Sequence, residues 1–393
     1  MNTEILIDKA ESMCQRDYYQ VLQRQGILPP TRNKDPVNPP WTAVEYEAME
    51  ADTAKYFLFY TAILKALKSI KSNNVPSSVS FKNDFKIDCM VVGAGRGRLV
   101  DYCVDCLQEL NIKGTVHVLE VNQAANTYLK EKFQSVDSVV VYSPLLVRST
   151  EEMLLAMEAN ECDIRLKELN SQKNISLFVS ELFGSFGDNE FVSEIISTCV
   201  GMFGNRDAIS IPVSYGTYLT VVKSDHLKEY FQKQENSGMF VLGLPTDAEL
   251  ISKIYPVYSN DCKAKCESLT GKANIKLLQN YTMNDACGLA GYFTAKLFDE
   301  IILDTRPQQG RNTFFWESAF FPFKAAKPFR VNNKTEGDIV FERTCKKIRS
   351  VAEHVFDVKQ PLLKMTYEVT LVNKTNNLVA TENNIFCYHE LYL

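Results

Sequence analysis

One stretch restricts the fold more than any other. Asp88-Cys-Met-Val-Val92 is a short apolar run, Gly93 to Gly97 is a glycine turn, and Leu99 to Leu110 carries helical periodicity. Thr115 to Leu119 reads as a second strand, 123–133 as a second helix, Ser138 to Tyr142 as a third strand and Ile175 to Val179 as a fourth. Parallel strands cannot be joined by a tight hairpin, so each needs a crossover connection. Strand, helix and strand at this interval predict a parallel sheet with helices laid across it. Ligands of such sheets sit beyond the carboxyl ends of the strands, so the residues that follow each apolar run are the ones to inspect.

The flanks read differently. Residues 1–40 end in a Pro-rich stretch of extended chain, and about 71–86 is a polar linker. Between them, Tyr56, Tyr60, Ile63, Leu64, Leu67 and Ile70 recur at spacings of three and four, which predicts one amphipathic helix from about Val44 to Ile70. Residues 149–170 carry a helical pattern suited to a surface insertion. After about Ser210, short alternating or aromatic-rich runs at 212–222, 290–298, 319–324, 337–343, 364–372 and 384–392 predict an antiparallel sandwich or barrel. The more polar segment of about 225–285 reads as an insertion or arm. The expected units are therefore 1–75 (extension and helix), 76–211 (parallel sheet) and 212–393 (antiparallel sheet).

Composition narrows the function classes. With 45% apolar residues the chain has material for buried cores. Lys and Arg total 43 against 48 Asp and Glu, a net charge of −5, so no basic excess favours nucleic acid and a cationic ligand is the better match. No apolar run is long enough to span a membrane, and the acidic start MNTEILIDKAES lacks the features of a secretory signal. The eleven cysteines are scattered. The close pairs Cys103/Cys106 and Cys262/Cys266 have no second pair at zinc-site spacing, so no metal is expected and free thiols in a reducing cytosol or nucleus are.

Two motifs carry chemistry. Gly93-Ala-Gly95-Arg96-Gly97 joins a strand to a helix, where missing Cβ atoms allow close backbone approach to a ligand. Glu120 ends the second strand, a position from which a carboxylate can accept hydrogen bonds from ribose hydroxyls. The competing reading is a tight turn and a surface acid. After the fourth strand comes Ser180-Glu181-Leu-Phe-Gly184-Ser185-Phe-Gly187-Asp188-Asn189-Glu190. Gly184 and Gly187 can fold this loop back so that Glu181 and Glu190 converge, and paired carboxylates suit a guanidinium fork. Taken alone, the competing reading of the pair is a polar loop and a helix N-terminal acid.

MVVGAGRGRLV and SELFGSFGDNE resemble the cofactor motif and double-glutamate loop of the type II (symmetric-dimethylating) protein arginine N-methyltransferases. The resemblance continues through Gly288-Leu-Ala-Gly-Tyr-Phe293 and Asn312-Thr-Phe-Phe-Trp316, covering roughly residues 15 to 393. It implies a Rossmann-like S-adenosylmethionine-dependent methyltransferase domain followed by an antiparallel β-barrel domain. It also implies arginine-containing protein substrates, such as histone tails and Sm-like Gly/Arg-rich segments, and a homodimer built through the 225–285 arm. Carried over residue by residue, Glu181 and Glu190 would hold the target guanidinium and Glu120 the cofactor ribose. Tyr46, Lys55, Tyr56, Gly93, Gly95, Arg96 and Gly97 would line the cofactor. Trp316 would pack on the arginine stem, with Met49 and Ser185 at positions that bear on substrate and product.

Three departures from the family pattern stand out. Only about 75 residues precede the sheet, so the family's N-terminal TIM barrel is expected to be absent, which puts its WD-repeat adaptor in question. Met49 stands where type II members carry Phe and resembles the asymmetric branch, so monomethyl, symmetric and asymmetric products all stay open. Leu145 replaces the family's adenine-reading Asp and cannot accept a hydrogen bond, leaving that task to backbone groups or Ser143. A methyltransferase with a different acceptor, and a non-catalytic cofactor-binding scaffold, are the competing functions.

Overall fold

The computed structural model of the chain describes residues 31–32, 42–74, 86–142, 163–233, 239–264, 268–282, 284–307, 313, 315–323, 336–347, 363–372 and 382–390. Among these, five strands form a parallel sheet: β2 (Asp88–Val92), β3 (Val116–Leu119), β4 (Val139–Val141), β5 (Ile175–Ser180) and β6 (Gly204–Ile211), in the order β4-β3-β2-β5-β6. β2 is buried throughout, as expected of a strand covered on both faces. Helices α3 (Arg98–Glu109), α4 (Gln123–Lys132), α5 (Ile164–Gln172) and α6 (Val192–Phe203) are the crossovers. The chain lays β3 and β4 on one side of β2, then returns to place β5 on the other. The carboxyl ends of β2 and β5 therefore flank the switch point, where open sheets bind ligands. Gly93 follows β2 and Glu181 follows β5 at this crevice.

The expected single helix from Val44 to Ile70 is two: α1 (Ala43–Glu50) and α2 (Thr53–Asn74). Apolar residues at helical spacing lie on both sides of Asp52, but the helix itself breaks there. Asp52 Oδ1 accepts from the Lys55 backbone N–H at 3.2 Å, an N-cap at the third residue of α2. Phe59, Ala62, Ile63, Ala66 and Leu67 then form the fully buried stripe of α2. Thr42 and Glu45 form a capping box that fixes the start of α1. Helix α2 also extends past Ile70 to Asn74, beyond the expected start of the linker.

The antiparallel half contains two sheets. One follows the order β1-β8-β14-β12-β7-β10, built from β1 (Thr31–Arg32), β7 (Ser214–Lys223), β8 (Phe240–Leu242), β10 (Tyr255–Asp261), β12 (Gly288–Phe298) and β14 (Ser318–Pro322). β9 (Glu249–Leu250) joins it beside β7 and β13 (Ile301–Asp304) beside β12, while helix α7 (Asp225–Gln232) follows β7. The other sheet is β11-β15-β16-β17, from β11 (Ser268–Lys276), β15 (Glu336–Lys347), β16 (Leu363–Val372) and β17 (Glu382–Glu390). No ladder among the described residues closes the two into a barrel. Within 225–285, β10 pairs along β7 and β11 along β15, so this segment is woven into both sheets.

Phe186 ties the two halves together. It is fully buried, with ring centroids 5.1 Å from Phe321 and 5.3 Å from Phe341, both in the antiparallel half. Burying one such ring contributes roughly 1.5–3 kcal/mol, so the loop that carries Phe186 has its own hydrophobic anchor. That loop is the double-acid loop.

Candidate active site

The loop after β5 folds back as its glycines suggest. Gly184 N–H donates to Gly187 O at 3.1 Å and Gly187 N–H to Gly184 O at 2.9 Å. Gly187 has φ +83°, a conformation L side chains rarely adopt. Asn189 Oδ1 accepts from the Phe186 N–H at 2.8 Å and fills the space beside Gly184. Ser185 is buried at the tip of this turn. Phe191, directly after Glu190, is a non-glycine residue with φ +63°, a costly conformation that tertiary contacts must hold.

Glu181 lies at the centre of the site. Its carboxylate accepts from Lys55 Nζ at 2.5 Å, with both side chains almost entirely withdrawn from solvent. Burial pushes the Glu181 carboxyl above the usual range, and the Lys55 charge and the Lys55 and Tyr56 hydrogen bonds pull it back. The Lys55 ammonium also faces three rings, with centroids at 4.4 Å for Tyr56, 4.7 Å for Phe315 and 5.1 Å for Trp316. Trp316 is held by its Nε1–H donating to Phe183 O at 2.8 Å, and it meets Phe293 edge-on at 5.1 Å. A carboxylate and an aromatic wall thus surround a buried cation, the environment a guanidinium would require.

The glycine turn lies on the neighbouring strand end. Gly93, Gly95 and Gly97 all have positive φ. A Cβ on Gly95 would fall 2.9 Å from the Tyr46 ring and 3.9 Å from Met49 Cε, so α1 lies directly over the turn. Tyr46 OH accepts from Asn122 Nδ2 at 3.3 Å. Burial raises the Tyr46 hydroxyl pKa, with the charges of Glu120, Glu45 and Glu190 adding to the effect. Glu120 is buried at the end of β3, with one oxygen accepting from Gly95 N–H at 2.6 Å and the other from Asn122 N–H at 2.7 Å. Its carboxyl is raised chiefly by burial. Arg96 turns outward instead, pairing with Glu47 of α1 at 2.6 Å and stacking over Tyr128 at 4.7 Å.

Glu181, Lys55, Tyr56 and Trp316 therefore meet at one point, while Tyr46, Met49, Gly95 and Glu120 meet beside it. The Arg96 guanidinium reaches α1, and Leu145 and Ser143 lie outside the described residues. His117 lies in the sheet, its Nδ1 2.7 Å from Tyr142 OH, away from the acid loop. Among the described residues no group of His, Cys, Asp and Glu could hold a metal, and no helix is long and apolar enough to cross a membrane.

Two sets of residues carry the site without a sequence signal strong enough to single them out. Asp52 caps α2 and also accepts from Thr313 Oγ1 at 2.6 Å and Phe315 N–H at 2.9 Å, pinning the segment before Trp316 to the helix that holds Lys55. Its capping position just before Thr-Ala-Lys was a usable sign of a helix start. Asp188 is buried in the acid loop, accepting from Tyr215 OH and Tyr258 OH, both at 3.0 Å. Only its place inside the motif hinted at a role.

A parallel sheet with its switch point at a glycine turn and an acid loop, followed by antiparallel sheets, is the protein arginine methyltransferase fold. The Trypanosoma brucei PRMT1 enzyme-prozyme heterotetrameric complex with AdoHcy matches with a TM-score of 0.60 at 12% identity, over 87% of this chain and 96% of that one. Arabidopsis thaliana protein arginine methyltransferase 10 matches with a TM-score of 0.56 at 12% identity, over 87% and 97%. Residues 15–211 match the family described as PRMT5 arginine-N-methyltransferase, and 214–377 its oligomerisation domain. The chain belongs to the PRMT5 arginine-N-methyltransferase family, a type II family. Protein arginine N-methyltransferase 5 of Oryza sativa subsp. indica is 29% identical over 77% of this chain and 44% of its own length. Schizosaccharomyces pombe skb1 is 26% identical over 75% and 45%. The chain thus spans less than half the length of these curated relatives.

Proposed function

We propose that this chain transfers the methyl group of S-adenosylmethionine to guanidinium nitrogens of arginine residues in protein substrates. The observation that carries this reading is the buried Glu181 carboxylate, already holding a cation against Tyr56, Phe315 and Trp316 at the strand end next to the glycine turn. The residues around that turn suit the donor. The Glu120 carboxylate accepts backbone N–H groups of Gly95 and Asn122 and, with two oxygens, has acceptor capacity left for a ribose hydroxyl. The side-chain-free turn at Gly95 lets α1 pack directly over it, so α1 would cover a donor bound there.

S-adenosylmethionine, when bound, supplies a methyl group made electrophilic by its sulfonium. The chain's own task is to make a poor nucleophile reactive, because guanidinium charge is delocalised and its pKa lies above about 12. Glu181 and Glu190 grip the fork, fix its approach and concentrate electron density on the nitrogen facing the donor. That nitrogen gains a methyl group and loses a proton, which Glu190 accepts. Lys55 favours the ionised form of Glu181, opposing the burial that raises its pKa. Self-association through the portion matching the oligomerisation domain belongs to the same reading. The test is a radiolabelled methyl donor with a glycine/arginine-rich peptide, followed by amino-acid analysis of the product. Label in methylarginine supports the reading and separates mono-, symmetric and asymmetric products. Cofactor binding with no transfer to arginine overturns it.

A further inference from the structure

Glu190 lies on a short connection, and the chain on both sides of it is held by one residue from the far end of the molecule. Arg343, on β15, is fully buried. Its Nε lies 2.9 Å from Asp188 Oδ2, two residues before Glu190, and its Nη2 donates to Glu194 Oε1 at 2.6 Å, in the first turn of α6. Tyr215 of β7 and Tyr258 of β10 donate to the same Asp188 carboxylate. Between the two gripped acids are Glu190 and the left-handed Phe191, a backbone conformation that persists only when its surroundings impose it. The guanidinium is thus ion-paired to Asp188 and hydrogen-bonded to Glu194 in a dry setting, and its rigid planar shape ties the positions of the two acids to each other.

We propose that Arg343 is a positioning residue for methyl transfer: by gripping Asp188 and Glu194 it sets where the Glu190 carboxylate stands, and so ties the competence of the acid loop to assembly of the β11-β15-β16-β17 sheet. This rests on the reading of Glu190 as part of the guanidinium clamp. It also places the control of that acid in the segment matching the oligomerisation domain rather than in the sheet that presents the loop.

Three variants of the whole 393-residue chain test it: Arg343→Lys, which keeps the charge but loses the fork; Asp188→Asn; and Arg343→Met combined with Asp188→Asn, which leaves no unpaired charge in that pair. Each is assayed for kcat and KM with an arginine peptide, for S-adenosylhomocysteine affinity by calorimetry, and for amide hydrogen exchange. For Arg343→Lys the expectation is a kcat lower by on the order of 10- to 100-fold, the scale of a small misplacement of a reacting group. Cofactor affinity should stay within about twofold, and exchange should rise in 184–191 but not in 93–97. Unchanged exchange at 184–191 with unchanged kcat in a folded Arg343→Lys or double variant overturns the proposal. So does a loss spread evenly over kcat, cofactor affinity and exchange in all segments, which would mean a general structural role. If the wild type transfers no methyl group to arginine while exchange still rises at 184–191 alone, the loop clamp stands and the functional reading fails.

Discussion

A carboxylate surrounded by protein with an ammonium at 2.5 Å is the least ordinary residue of the site. Desolvation favours the protonated form of Glu181, and Lys55 opposes it. Replacing Glu181 with Gln keeps the shape and the hydrogen-bonding capacity but removes the charge that polarises a guanidinium. Turnover should fall on the order of a hundred-fold or more, while cofactor affinity, set around Glu120, stays within about twofold. Radiometric turnover and calorimetry on one protein sample separate the two effects, and retained activity would remove Glu181 from the clamp. Lys55→Met tests the opposing charge. Without the ammonium the Glu181 pKa rises further, so the carboxylate forms only at higher pH. The acidic limb of the kcat/KM profile should then move to higher pH. A limb that stays in place would show that Lys55 does not hold Glu181 ionised.

At the scale of elements, Asp52 does two jobs that are usually separate. One oxygen caps α2, and the other holds Thr313 and the Phe315 backbone. Asp52→Ala should lose about 1 kcal/mol from the cap alone and more from the stranded donors. It should also raise the peptide KM, because Trp316 follows directly on the released segment. Thr42→Ala is the comparison, since the Thr42 cap serves α1 without reaching the tryptophan segment. Thermal melts and peptide kinetics on both variants distinguish the cases: equal KM effects would reduce Asp52 to a helix cap. The same residue shows what a periodicity pattern hides. Met49 and Tyr56, seven residues apart, share one helical face across Asp52, so one helix is the natural reading of a stretch that side-chain chemistry divides.

Across the whole molecule, the parallel half was the more legible part. Most of its strands are short, mainly apolar runs bounded by turns, so Asp88 to Ser180 declares its own architecture. Glu120, Glu181 and the glycine turn stand out because a polar or glycine residue at such a strand end has few structural reasons to be there. The Asp188–Arg343–Glu194 cluster was not legible, because β15 reaches the acid loop only through pairings made far along the chain, and a lone Arg on an alternating strand looks like a solvated side chain. His117 is another residue whose meaning depends on packing. The strand pattern shows only a polar residue among valines, whereas in the fold burial depresses its pKa from 6.5 to about 4, with Asp88 opposing and Lys86 and Arg165 reinforcing the effect. A histidine that stays neutral in the folded state but takes up a proton when unfolded makes unfolding easier in acid. Its contribution to stability is intact above pH 6.5 and is lost as the pH falls towards 4, by up to roughly 3 kcal/mol. The buried Glu120, Glu181 and Glu194, with raised values, titrate in the opposite sense, so the wild-type curve is a sum of both. Urea unfolding of wild type and His117→Gln at a series of pH values between 7 and 4 isolates the histidine. The stability difference should shift steadily in the variant's favour on acidification, and a difference independent of pH would mean that His117 is not held neutral by the folded sheet.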